Sequence, residues 1–167
     1  LGNLDAFPLN AIVGLGFCTA SFVSPMGLVV TNHHCAYGTI QFNSKPERNL
    51  LRDGFLAKSI GEELPGESTL RVYVTESITD VSEQIRKSLP SNGRKAYDYI
   101  DARQESLVAN CEKGGGYRCD VYVFHGGSKY SFVKQTEIRD IRLVYNPAEA
   151  MGKFGGDTDN WIWPRHT

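Results

Sequence analysis

The stretch Thr31-Asn32-His33-His34-Cys35, with Cys18 seventeen positions before Cys35, holds the residues best suited to chemistry. An imidazole titrates near neutral pH, so it can take a proton from a nucleophile and return it to a leaving group. The plainer reading is a structural histidine at a strand end. Adjacent residues on a strand point to opposite faces, so His33 and His34 do not read as joint ligands of one metal. One is expected to face a cleft while the other packs. No Gly-x-Ser-x-Gly or Gly-Asp-Ser-Gly follows anywhere in the chain, so these residues read as one part of an active site.

A second dense stretch runs from Phe154 to Thr167 and crowds Asp157, Asp159, Asn160, Trp161, Trp163 and Arg165 together with two glycines. Carboxylate, amide and aromatic faces of this kind can hold a cationic group. The alternative is a packed tryptophan corner with a salt-bridged Arg165. Two carboxylates without further spaced ligands are weak evidence for a metal loop. Gly155-Gly156-Asp157 lacks the Lys and Ser/Thr of a phosphate loop. Ser128 reads as a turn serine, and Phe17, Phe22, Tyr122 and Phe124 read as core.

These residues need elements to position them, and 167 residues suffice for one domain with a substantial core. The net charge of −1 gives no electrostatic case for nucleic acid or an anionic membrane. No apolar run approaches the roughly 18 residues that span a bilayer. The chain starts at Leu1 and stops straight after a dense motif, so it is expected to be a piece of a longer protein. The four cysteines fall as two neighbouring pairs without zinc or redox spacing. Two disulfides in an oxidising compartment and four buried thiols are the alternatives. A bridge closing a loop as long as Cys18–Cys35 would contribute roughly 3 kcal/mol.

Apolar runs at Ala11–Val13, Thr19–Val23 and Leu28–Thr31 predict strands, the last two joined by a turn at Ser24-Pro25-Met26-Gly27. That hairpin is expected to deliver His33 and His34 at its end. Residues 36–66 read as loop with a helical turn near Leu50–Phe55, and Leu70–Thr75 as a strand. Asp80 with Glu83 forms a capping-box pattern before Val81, Ile85 and Leu89. A second helix is predicted over about Arg94–Asn110, with Tyr97, Ile100, Leu107, Val108 and Cys111 on one side. Gly114-Gly115-Gly116 ends it. Asp120–His125 and Tyr130–Glu137 flank a hairpin signal at Gly126-Gly127-Ser128, and Ile138–Tyr145 predicts a further strand. The class is mainly β with a helical insertion, which favours a barrel or sandwich.

A histidine followed at once by a cysteine, at the end of an apolar run, is similar to the corner of chymotrypsin-type peptidases. Together with Gly16-Phe17-Cys18-Thr19, Leu51-Arg52-Asp53-Gly54-Phe55, Gly61-Glu62-Glu63-Leu64-Pro65 and the Gly152–Thr167 motif, the chain resembles the bacterial dipeptidyl-peptidases of the seven and eleven type, which include dipeptidyl aminopeptidase BII. The resemblance covers nearly the whole chain and implies a serine exopeptidase with a chymotrypsin-like double β-barrel. It implies that His34 is the general base of a Ser-His-Asp triad, and that Asn160 and Trp161 bind the α-amino group of the substrate. It implies a Cys18–Cys35 disulfide beside the histidine and a second one, Cys111–Cys119, with shorter spacing than the family's.

Residues 1–167 are then expected to be the N-terminal portion of the peptidase domain, with a helical excursion over about 79–113. The triad Asp and Ser, the rest of that domain and the helical cap would lie beyond Thr167, so this chain alone would be inactive. The resemblance further implies a peptide substrate with a free N-terminus, no cofactor or metal, a periplasmic or secreted location, and a homodimer at full length. Nucleic acid and membrane are not expected partners. The rival expectation is a non-catalytic module that binds peptide N-termini.

Overall fold

The computed structural model describes residues 9–91 and 93–152. It divides into two compact units, one built on Ala11–Val72 and the chain from Ile138, the other on Tyr73–Glu137. Among the described residues there are ten strands and five α-helices, so the protein is mainly β-sheet with a few helices.

The first unit opens with three antiparallel strands, β1 (Ile12–Gly14), β2 (Thr19–Phe22) and β3 (Val29–Thr31). Val13 faces Ala20 across β1 and β2, and Ala20 faces Thr31 across β2 and β3. The expected turn closes the β2–β3 hairpin. The Met26 amide donates to Ser24 Oγ, and Gly27 takes φ +86°, where a side chain would be strained.

The chain does not carry the histidines on the strand. β3 ends at Thr31, extended Asn32 redirects the backbone, and an unexpected helix α1 (His33–Asn43) begins at His33. Its own sequence gives this helix little local signal. Gly38 and the β-branched pair Thr39-Ile40 have modest helix propensity, and Asn32 gives no side-chain cap. Packing makes up the difference, since Cys35 and Ile40 bury their side chains. Side chains close its C-terminus: Ser44 Oγ donates to the Ile40 carbonyl, and Asn43 Nδ2 donates to Thr39 and Pro65 carbonyls.

Three short elements then follow: α2 (Leu50–Asp53), β4 (Phe55–Leu56) and β5 (Leu64–Pro65). Asn49 caps α2 by accepting from the Arg52 amide, and Gly54 ends it at φ +76°.

The second unit holds β6 (Val72–Asp80), α3 (Ser82–Arg86), α4 (Gly93–Glu112), β7 (Tyr117–Phe124) and β8 (Lys129–Ile138). Strand order within it is β6-β8-β7, with β7 and β8 antiparallel and Val121 opposite Phe132. α4 packs on β7 and is joined to it by the Cys111–Cys119 disulfide. Val81, Ile85, Val121 and Tyr130 form the core, lined by Ile100, Leu107, Val108 and Phe132.

Several expectations need correction here. The capping box is replaced by Asp80, which accepts from the amide and hydroxyl of Ser82. The first helix stops at Arg86, so Leu89 is not on it. Tyr97 lies on the exposed side of α4. Phe17, Tyr122 and Phe124 are exposed rather than core; on β7 the inward positions are Cys119 and Val121, which turns Tyr122 and Phe124 outward.

The final stretch returns to the first unit as β9 (Arg142–Leu143), β10 (Tyr145–Asn146) and α5 (Glu149–Gly152). The single strand expected over Ile138–Tyr145 is thus two short ones, because β9 pairs with β5 and β10 pairs with β4. The break also shifts the alternation, leaving Tyr145 exposed and Asn146 buried. Leu143 completes the core of this unit with Ile40, Leu50 and Phe55.

Candidate active site around His34

Asn32 places both histidines on the first turn of α1, where successive side chains diverge by about 100°. His33 therefore points inward and is 6% exposed, its ring meeting Tyr37 edge-on with centroids 6.0 Å apart. His34 turns outward and is exposed. The division of labour expected from a strand is kept, through helical geometry instead.

Cys35, the next residue, is buried and bonded to Cys18, whose Cα lies 6.1 Å away. His34 Nε2 lies 3.9 Å from Cys18 Sγ, so the imidazole lies beside the bridge. Donor atoms of Cys18, His34 and Cys35 lie within 4.8 Å of one another. The two sulfurs are spent on each other, and a disulfide offers no thiolate to a metal. The arrangement suits an accessible proton carrier on a fixed base.

Two carboxylates brace α1 further along. Thr39 Oγ1 donates to Glu67 Oε2, and a Cβ at Gly38 would come within 2.6 Å of Glu67 Oε1, so Gly38 gives that side chain room. Tyr37 Oη donates to Glu149 Oε1 at 2.9 Å, which ties α1 to the first residue of α5. Sequence reasoning named neither contact. The His33–Tyr37 spacing of four would have shown the inner face of α1 had the helix been recognised. The Tyr37–Glu149 pair, 112 positions apart, leaves no local signal.

Both cysteine pairs are bridged, as the resemblance implied. Asn160 and Trp161 lie outside the described residues, so this site is built from His34, its disulfide and the braces of α1.

The whole chain, residues 1–167, matches the Peptidase S46 family, and the protein belongs to it. It is 50% identical over 167 residues to an Asp/Glu-specific dipeptidyl-peptidase of Shewanella putrefaciens, covering all of this chain and 23% of that one. It is 44% identical over 161 residues to dipeptidyl-peptidase 7 of Capnocytophaga gingivalis, covering 95% of this chain and 22% of the relative. A solved structure of Porphyromonas endodontalis DPP11 in complex with substrate superposes with a TM-score of 0.81 at 36% identity, over 100% of this chain and 26% of that one. The same enzyme in complex with the dipeptide Arg-Glu gives 0.78 at 38% identity, over 95% and 24%. The chain thus spans about a quarter of the length of the relatives it matches.

Proposed function

We propose that this chain supplies the general base of a serine-type dipeptidyl-peptidase that removes dipeptides from the free N-terminus of peptides. One observation carries the reading: His34 is exposed at the start of α1 and lies against the Cys18–Cys35 bridge. Membership of the family and the names of its members support reading that histidine as a peptidase base. His34 takes the proton of a serine hydroxyl as it attacks the scissile carbonyl, then returns it to the departing amine. A triad aspartate orients the ring, and both it and the serine are supplied by parts of the enzyme beyond this chain.

Asn160 and Trp161 hold the α-amino group of the substrate, by carboxamide hydrogen bonding and an aromatic face toward a cation. The strands of the first unit belong to a chymotrypsin-like double barrel. Residues 1–167 form the N-terminal portion of that peptidase domain, with the helical excursion over about 79–113. Two disulfides support a periplasmic or secreted location. The resemblance supports a homodimer. A preference for Asp or Glu as the second substrate residue is supported by the Shewanella putrefaciens relative and the DPP11 complex with Arg-Glu.

The test uses the full-length enzyme and fluorogenic dipeptide substrates ending in Glu or Leu, each with a free and with a blocked N-terminus. Turnover of the free Glu substrate, lost in His34→Ala, is expected. Dipeptide release retained by that variant would overturn the base assignment. Equal turnover of free and blocked substrates would refute the exopeptidase reading, and faster turnover of the Leu substrate would refute the acidic preference.

A further inference from the structure

We propose that the Tyr37–Glu149 hydrogen bond is a positioning contact that holds the turn of α1 bearing His34 in its working orientation. The inference rests on the assignment of His34 as general base and extends it to the two residues of this contact.

His34 sits on the first turn of α1, and three things fix that turn. Cys35 ties it to Cys18. His33 buries its ring beside it. Tyr37, four residues after His33 and three after His34, packs its ring against His33 and aims its hydroxyl at Glu149 Oε1, 2.9 Å away. The bridge fixes the start of the helix, while Thr39 on Glu67 and the buried Ile40 hold it only beyond the turn that carries His34. Tyr37 lies one turn further on, so among these its bond to Glu149 is the polar tie nearest His34 and sets the roll of that turn.

The far end of the contact is anchored as well. Glu149 opens α5, which packs on α2, and the Met151 amide donates to the Ala148 carbonyl there. Both partners are half-buried, where a hydrogen bond to a carboxylate is stronger than in open water. A roll of α1 would carry the imidazole along an arc and take its nitrogen out of line with a serine hydroxyl. Proton transfer is sensitive to such displacement, which is why the effect belongs in kcat rather than in substrate binding.

The experiment compares Tyr37→Phe, Glu149→Ala, Glu149→Gln, the Tyr37→Phe/Glu149→Ala pair and His34→Ala in the full-length enzyme. It reads kcat and KM on a free-N-terminus dipeptide substrate together with the thermal midpoint. Tyr37→Phe and Glu149→Ala are each expected to lower kcat about tenfold with little change in KM. The double variant is expected to be no slower than either single one, since both remove the same bond. Glu149→Gln keeps an acceptor oxygen for the tyrosine hydroxyl, so it is expected to retain most of the native kcat, whereas a merely structural role would track the thermal midpoint. Unchanged kcat in Tyr37→Phe, additive losses in the double variant, or equal damage from Gln and Ala would each overturn the proposal. If His34→Ala still turns over, the base assignment falls first. If His34→Ala is dead while Tyr37→Phe and Glu149→Ala run normally, the positioning role alone is wrong.

Discussion

His33 and His34 share chemistry and neighbouring positions, and only their direction separates them. One ring is enclosed against Tyr37 and the other is open beside a disulfide. That an imidazole would stand beside a disulfide here was legible from the resemblance and from the cysteine that follows the pair. Which histidine faces out was not legible from the residues themselves, because the geometry came from a helix that local propensity does not announce. The carboxylates show a similar dependence on surroundings. Asp80 accepts from the hydroxyl and the amide of Ser82, and these bonds hold its carboxyl below its ordinary value of 3.8. A lowered carboxyl pKa stabilises the folded state above that ordinary value, and the benefit is lost as pH falls through the lowered one. Replacing Ser82 by Ala should move the Asp80 titration back up, toward 3.8. Carboxyl resonances of labelled aspartate, followed through an acid titration, would check this, and an unmoved titration would count against Ser82 as the cause.

Among the elements, the hairpins were readable and the helix around the site was not. Ser24-Pro25-Met26-Gly27 and Gly126-Gly127-Ser128 carry turn chemistry within a few residues, and both turns form where they were expected. α1 is held by Leu50, Phe55 and Leu143 around Ile40, by Glu67 and by Glu149, and none of these partners lies within residues 33–43. The strand expected after Ile138 failed for a related reason, since its halves are claimed by two different partners, β5 and β4. Gly54 marks a tight junction among these elements. It stands at φ +76°, and a Cβ there would lie 3.0 Å from the Ala148 amide and 3.1 Å from the Asn146 carbonyl. Backbone cannot yield as a side-chain tip can, so Gly54→Ala should cost roughly 2 kcal/mol through strain and crowding. A thermal midpoint equal to that of the native full-length enzyme would refute this.

At the scale of the whole molecule, each unit has its own hydrophobic core and its own disulfide. Cys111–Cys119 closes a loop of eight residues between α4 and β7, worth roughly 2.5 kcal/mol on the chain-entropy model. Serine at both positions should lower the thermal midpoint while leaving turnover at low temperature intact, because His34 belongs to the other unit. Turnover lost at low temperature, with the protein still folded, would contradict that separation.

The contacts around His34 also differ greatly in how far apart their partners lie along the chain. Cys18 and Cys35 are 17 residues apart, Thr39 and Glu67 are 28, and Tyr37 and Glu149 are 112. Loop closure costs more entropy as the loop lengthens, though slowly, and a growing chain supplies these partners in the same order. As the polypeptide emerges, the histidine therefore gains its sulfur neighbour early and its last brace late. Within this chain, the fixing of the turn that carries His34 is thus completed by a glutamate more than a hundred residues downstream.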